Sequence, residues 1–245
     1  VLHHRPWRDS SRILEVLARD HGRITLFARG VRGSRSRTAS LLQPFQCLLL
    51  SWSGTGEAAR LTQVDLPEDS ATGGGVARAP VPASALLSAW YLNELLLALT
   101  VRNDPQPALF ELYDQALAEL SCQGVPAMVL RRFERQLLEH LGYGIDFSAD
   151  ARNGERVRDG AYYHFHASLG FVEVAADERG SAIPGSSLRA IATGDFAAGR
   201  ALDDARRIMR TAIDHVLEGR ELRTRAVAQS IARSAGPRSR GSAAS

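Results

Sequence analysis

Five arginines, Arg23, Arg29, Arg32, Arg35 and Arg37, fall within fifteen residues, interleaved with Gly30, Gly33 and Ser34. Guanidinium forks bind phosphate oxygens in pairs, and glycines let the backbone come close to a ligand. Like charges this close together repel unless solvated or bound, so the stretch reads as an anion site. Trp7, Phe27, Phe45 and Trp52 are spread through the same region. An outward-facing ring can stack on a base for about 1–3 kcal/mol; Phe27 and Phe45 are expected in the core. The chemistry on offer is recognition of a polyanion.

Bond-making chemistry is harder to find. All thirty basic residues are arginine. Without lysine there is no Walker-A phosphate loop, no Schiff-base lysine and no Ser-Lys pair. The motifs HExxH, GxSxG and GxGxxG are absent, and Gly54-Thr55-Gly56 is only a turn. The adjacent pairs Glu68-Asp69 and Asp203-Asp204 diverge, whereas a two-metal nuclease needs carboxylates converging on ions about 3.5–4 Å apart. His164 and His166 share one face of a strand and could ligate a metal, but no cysteine lies near them. Partly exposed hairpin residues are the plainer account. No enzyme activity, cofactor or metal is expected. Cys47 and Cys122 cannot make a disulfide framework; they fit a reducing cytoplasm as packed small residues.

The net charge of +3 hides an uneven distribution. Residues 1–40 hold nine arginines against three acids, residues 200–245 ten against five, and residues 41–199 eleven against nineteen. Basic ends around an acidic middle predict a polyanion site drawn from both ends. The most apolar run, Ala83–Val101, is interrupted by Asn93 and Glu94, so no membrane span is expected. No signal peptide is visible, and a start at Val1 predicts a trimmed N-terminus.

The elements that must position these residues follow from periodicity. Arg12–Arg19 and Arg23–Val31 alternate around the His21-Gly22 turn, and Gln46–Trp52 and Ala58–Leu66 flank the turn at Gly54. Short strands and glycine turns over about seventy residues predict a five-stranded β-barrel of OB or SH3-like type. Residues 68–82, rich in glycine and proline, form a break. Beyond it the period lengthens to about 3.6. Helices are predicted over Ala83–Val101, Pro107–Cys122, Pro126–Leu141, Ser187–Ala192, Leu202–Leu217 and Glu221–Arg233. Ala161–His166 and Gly170–Ala175 read as a hairpin inserted near 150–180. The fold class is α+β: an N-terminal five-stranded OB-type barrel over 1–75, an α-helical domain over 76–235, and a disordered tail over 236–245.

Certain segments resemble the RecO family of bacterial recombination mediators. They include Leu2-His3-His4-Arg5-Pro6-Trp7, His21-Gly22-Arg23, Ala28-Arg29-Gly30-Val31-Arg32, Leu42-Gln43-Pro44-Phe45 and Trp52-Ser53-Gly54-Thr55-Gly56-Glu57. Tyr91–Leu96, Leu130-Arg131-Arg132-Phe133-Glu134 and His140–Gly144 continue the match, and Gly219–Arg225 is similar to the family's Gly-x-x-Leu-Lys-Ser-Arg segment. The resemblance implies an OB domain packed on a helical domain, in a non-enzymatic DNA repair factor of the cytoplasm and nucleoid. Such a factor binds single- and double-stranded DNA, anneals complementary strands coated with single-strand-binding protein (SSB), and works with RecR to load RecA at gaps. DNA contacts are expected on the arginines of the basic stretch, Arg23, Arg29, Arg32, Arg35 and Arg37, helped by Arg220, Arg223 and Arg225. The resemblance also implies docking of the acidic, phenylalanine-terminated SSB tail on the helical domain, with Arg131, Arg132 and Arg135 as candidates. Some relatives carry a four-cysteine zinc site over the region of residues 145–175. This chain has no cysteine there, so Tyr163, Phe165 and Phe171 are expected to hold that hairpin by packing. The alternatives are an OB module for single-stranded RNA and a metal-dependent nucleic-acid enzyme.

Overall fold

A computed structural model describes residues 1–31, 37–54, 59–67, 78–122, 124–175, 180–197 and 199–234, without the side chain of Arg37. The chain begins with five strands: β1 (His3–Trp7), β2 (Ser11–Ala18), β3 (Gly22–Ala28), β4 (Leu49–Ser53) and β5 (Ala59–Asp65). A short helix, α1 (Arg37–Leu41), lies between β3 and β4. The strands form one sheet in the order β1-β2-β3-β5-β4. Side chains alternate across a strand, and β3 alternates buried Ile24, Leu26 and Ala28 with half-buried Arg23, Thr25 and Phe27. Leu14, Val16, Ile24 and Leu26 build the inner core with Val31 and Leu42.

Two details differ from the sequence expectation. β1 was hidden by Pro6, which lacks an N–H and suits an edge strand, and β1 is an edge. The sheet is also not a closed barrel: among the described residues no ladder joins β1 to β4. The gap is narrowed where the Phe45 N–H donates to the Val1 carbonyl at 3.2 Å. The unit is OB-type with one open seam.

The second unit holds α2 (Ala83–Leu99), α3 (Pro107–Ser121), α4 (Pro126–His140), α5 (Gly185–Thr193), α6 (Ala201–Leu217) and α7 (Arg223–Ser234). Pro107 and Pro126 open their helices where no N–H is needed. α2 buries Ala85, Ala89, Tyr91, Leu92, Asn93, Leu95 and Leu96, over more than half of its circumference, with all remaining positions after Leu86 half-buried, and so serves as the central helix. The inserted hairpin, β6 (Tyr162–His166) and β7 (Gly170–Glu173), gains a third strand, β8 (Ile183–Pro184). Two residues were too few to show a period. Phe147 and Phe165 pack at a tilt on Phe171 in this insertion, with ring centroids 5.3 and 5.0 Å away. The Asp150 carboxylate accepts backbone N–H bonds from Arg152 (2.7 Å) and Glu173 (2.6 Å). Packing and one buried acid thus hold the insertion, and no cluster of metal-ligating side chains occurs among the described residues. Cys122 is exposed rather than packed.

The two units share a polar seam. Leu2, Leu17 and Phe45 of the N-terminal unit enter the helical core. Asn93 donates to the Leu2 carbonyl at 2.6 Å and accepts from the Tyr113 hydroxyl at 2.5 Å. Gly22 packs so tightly on Asp104 that an added Cβ would lie 1.9 Å from its carbonyl oxygen. No helix among the described residues is long and apolar enough to cross a membrane.

Candidate nucleic-acid interface and cationic cleft

Strand register decides which arginines of the sheet are free. Arg5, Ile13 and Phe27 stand opposite one another across β1, β2 and β3, and Phe27 in turn stands opposite Arg60 of β5. Directly opposed residues share a face, so this row lies on the side away from Leu14 and Leu26. Arg5 and Arg60 are exposed and Phe27 is half-buried. Arg29, just past β3, is exposed and sets its guanidinium over the Phe27 ring, 5.7 Å from the centroid. Trp7, at 40% exposure, shares the face at the end of β1. Phe27 is therefore part of the open surface rather than of the core, whereas Phe45 is core. Arg5 and Arg60 carried no sequence signal of their own; only the register brings them to Arg29.

The other end of that face is covered. Arg23 donates from Nη2 to the Thr100 carbonyl at 2.8 Å, from Nε to the Thr100 hydroxyl at 3.2 Å, and from Nη1 to Glu15 at 3.2 Å. Glu15 also takes a 2.5 Å bond from Arg102. Arg23 fastens the sheet to the helices and has no free edge to offer a phosphate. Arg32 and Arg35 lie outside the described residues, and Arg37 begins α1.

The C-terminal arginines divide similarly. Arg220 donates to the Ala98 carbonyl at 2.9 Å, tying the chain after α6 to α2. Arg225 pairs with Asp214 and lies 5.8 Å from the centre of the Tyr91 ring. The Arg223 side chain is exposed and makes no hydrogen bond or ion pair among the described residues. Its N–H is held at 2.7 Å by Glu94, which also accepts from the Thr224 N–H and hydroxyl at 2.9 and 2.6 Å. Glu94 thereby caps α7, a helix with no buried residue of its own.

Arg131, Arg132 and Arg135 do not converge. Arg132 lies about 100° round α4 from Arg131, whereas Arg135, one turn on from Arg131, reaches α5 instead of the cleft. Arg132 pairs with Glu119 of α3 at 2.6 Å. Arg135 donates to the last carbonyls of α5, Ile191 at 3.1 Å and Ala192 at 2.8 Å. Arg131 alone faces a cleft of about 610 Å³ walled by α2, α4, α6 and α7. Its apolar lining includes Leu87, Val125, Leu130, Leu202 and Ala228; its charged lining is Arg131, Arg206, Arg210 and Arg225 against Asp203 and Glu134. Burial pushes the Glu134 carboxyl up, opposed by Arg131, the Tyr91 hydroxyl, Arg225 and Arg206. An apolar trough with excess positive charge suits an acidic segment bearing a bulky apolar end. Arg206 and Arg210, four apart on α6, were missed because nothing in their spacing refers to α4.

An OB-type sheet with an open basic and aromatic face, packed on a helical unit, is the architecture of a nucleic-acid-handling protein. Comparison with known proteins makes this specific. Residues 1–68 match the family model for the N-terminal part of recombination protein O, and residues 83–226 that for its C-terminal part. The DNA repair protein RecO of Azoarcus sp. (strain BH72) is 41% identical over 237 residues, covering 94% of this chain and 93% of that protein. RecO of Alkalilimnicola ehrlichii is 42% identical over 236 residues, covering 95% and 90%. This chain belongs to the RecO family of DNA repair and recombination proteins. Membership favours DNA over the RNA alternative.

Proposed function

We propose that this protein pairs complementary DNA strands and is delivered to them by an SSB tail. The observation that carries the reading is the row Arg5–Phe27–Arg60 with Arg29 above it, three exposed cations beside an aromatic ring on the open face of the sheet. Cations on a flat face neutralise phosphates without reading sequence, so single and double strands both bind and two strands can be held while base pairing proceeds. Arg32, Arg35 and Arg37, which follow Arg29 in the sequence, are further candidates for phosphate contacts, and Arg223 adds an exposed cation at the start of α7. The cleft of the helical unit receives the SSB tail: Arg131, Arg206 and Arg210 meet its acidic residues and carboxylate, and Leu87, Leu130 and Leu202 meet its phenylalanine. Arg132 and Arg135 serve as struts of α4 in this account. Docking raises the local concentration on coated DNA, which substitutes for high intrinsic affinity. Cooperation with RecR to load RecA, and residence at the nucleoid, rest on the family resemblance.

Annealing of complementary oligonucleotides precoated with SSB tests both halves. Full-length SSB is expected to allow acceleration that tail-deleted SSB does not. Acceleration independent of the tail would remove the docking site, and none with either SSB would remove the strand-pairing reading.

A further inference from the structure

The floor of the cleft holds a carboxylate where an anion site needs donors. Glu134 is 1% exposed. Its Oε1 accepts from the Tyr91 hydroxyl and from Arg131 Nη2, each at 2.7 Å. Its Oε2 is buried without a hydrogen-bond partner among the described residues, and so is Arg131 Nε. A buried polar atom left unpaired is costly, more so when charged. The groups acting on Glu134 are Tyr91 from α2, Arg131 on its own helix, Arg206 from α6 and Arg225 from α7, and Asp203 and Arg210 of α6 line the same cleft. No histidine lines the cleft among the described residues.

An entering carboxylate changes this balance in a definite direction. It seeks Arg131, the most buried cation of the cleft, and brings a second negative charge beside Glu134. Two carboxylates sharing one guanidinium in a dry site do not both stay ionised; one takes a proton. The ligand's acidic groups are also engaged by the exposed Arg206 and Arg210 at the rim, which favours their ionised form. Among the described residues Glu134 has only Tyr91 and Arg131 as hydrogen-bond partners. We propose that Glu134 is a proton-gated competitor for the bound anion: it holds Arg131 in the empty cleft and, on taking up one proton, yields Arg131 to the terminal carboxylate of an acidic peptide. One proton passes from solvent to Glu134 for each peptide bound, and no covalent bond to the peptide forms. Protonated Oε2 becomes a donor and can satisfy the incoming carboxylate. Glu134 thereby acts as a specificity residue, because an anion that fails to reach Arg131 draws no proton. This rests on the docking reading above.

The test titrates the full chain with a peptide of acidic residues ending in a phenylalanine carboxylate. Calorimetry at pH 7 in phosphate and in Tris, whose ionisation heats differ, counts protons taken up. Uptake approaching one proton per peptide is expected, with Kd weakening by up to about tenfold per pH unit between pH 6 and 8, where the peptide's own carboxyls stay ionised. In Glu134→Gln, uptake vanishes and Kd becomes flat with pH; with an amidated peptide terminus, uptake vanishes and binding weakens. Tight binding without uptake in the unaltered protein overturns the proposal and leaves docking intact. No binding at any pH removes the docking reading, and the proposal with it. Uptake that persists in Glu134→Gln overturns the assignment to Glu134. The proton count on the unaltered protein stands whether or not the variant folds.

Discussion

Replacing Arg5, Arg29 and Arg60 together by glutamine separates the row of exposed cations from the arginines that hold the fold. All three are exposed, and no carboxylate pairs with them among the described residues. Each phosphate neutralised on a single strand contributes about −0.7 to the slope of log K against log salt. Losing three contacts therefore flattens the slope by about 2 and, at 0.1 M monovalent salt, weakens single-strand binding roughly a hundredfold. The assay is fluorescence anisotropy with a labelled oligonucleotide from about 0.05 to 0.3 M salt, the range over which the electrostatic term is largest. Thermal unfolding should stay within about 0.5 kcal/mol of the unaltered protein, as is usual for exposed positions. Arg23→Gln supplies the opposite pattern. It breaks bonds to Thr100 and Glu15 in a position only 13% exposed, so stability falls while the salt slope holds. The reasoning is refuted if the triple variant keeps its slope, or if Arg23→Gln alone flattens it by as much as the triple variant does.

Four further outcomes test the scaffold. Gly22→Ala places a Cβ 1.9 Å from the Asp104 carbonyl oxygen at a φ of +67°; it should cost more than about 2 kcal/mol in thermal unfolding. Gly30→Ala, at φ +68° with open space around it, should cost about 1 kcal/mol. Asp150→Ala strips the backbone donors of Arg152, Asn153 and Glu173 of their acceptor and should cost roughly 1–3 kcal/mol in denaturant melts. Desolvation pushes the Asp150 carboxyl up, but those three N–H groups together hold it below the usual carboxylate value. Its folded value is thus depressed, so the stability it confers is present above about pH 4 and lost as pH falls through the folded value, a loss absent in the variant. Glu94→Ala uncaps α7, at about 1 kcal/mol. Limited proteolysis should then cut within 218–234 first, and peptide docking should weaken because α7 walls the cleft.

Periodicity made most elements legible, since a half-buried strand and a core-facing helix advertise their buried side residue by residue. It failed where an element is short, as in β8, or masked, as at Pro6 in β1. Charge was legible as quantity but not as direction. Arg23 and Arg29 flank the same run of alternating residues; one is sealed under Thr100 and the other lies open over Phe27. Arg131, Arg132 and Arg135 look like one basic side and serve three separate neighbours. The cleft joins Tyr91, Glu134, Arg206 and Arg225, whose sequence separations obey no helical rule because four helices must pack before they meet. The most informative misfit was Asn93-Glu94, two polar residues that interrupt an apolar run. One of them ties the sheet to the helices through Leu2 and Tyr113, and the other caps α7 from 129 residues away. Burying a polar group is tolerated only where a partner waits, so a polar pair inside an apolar helix marks two long-range contacts before any partner is known.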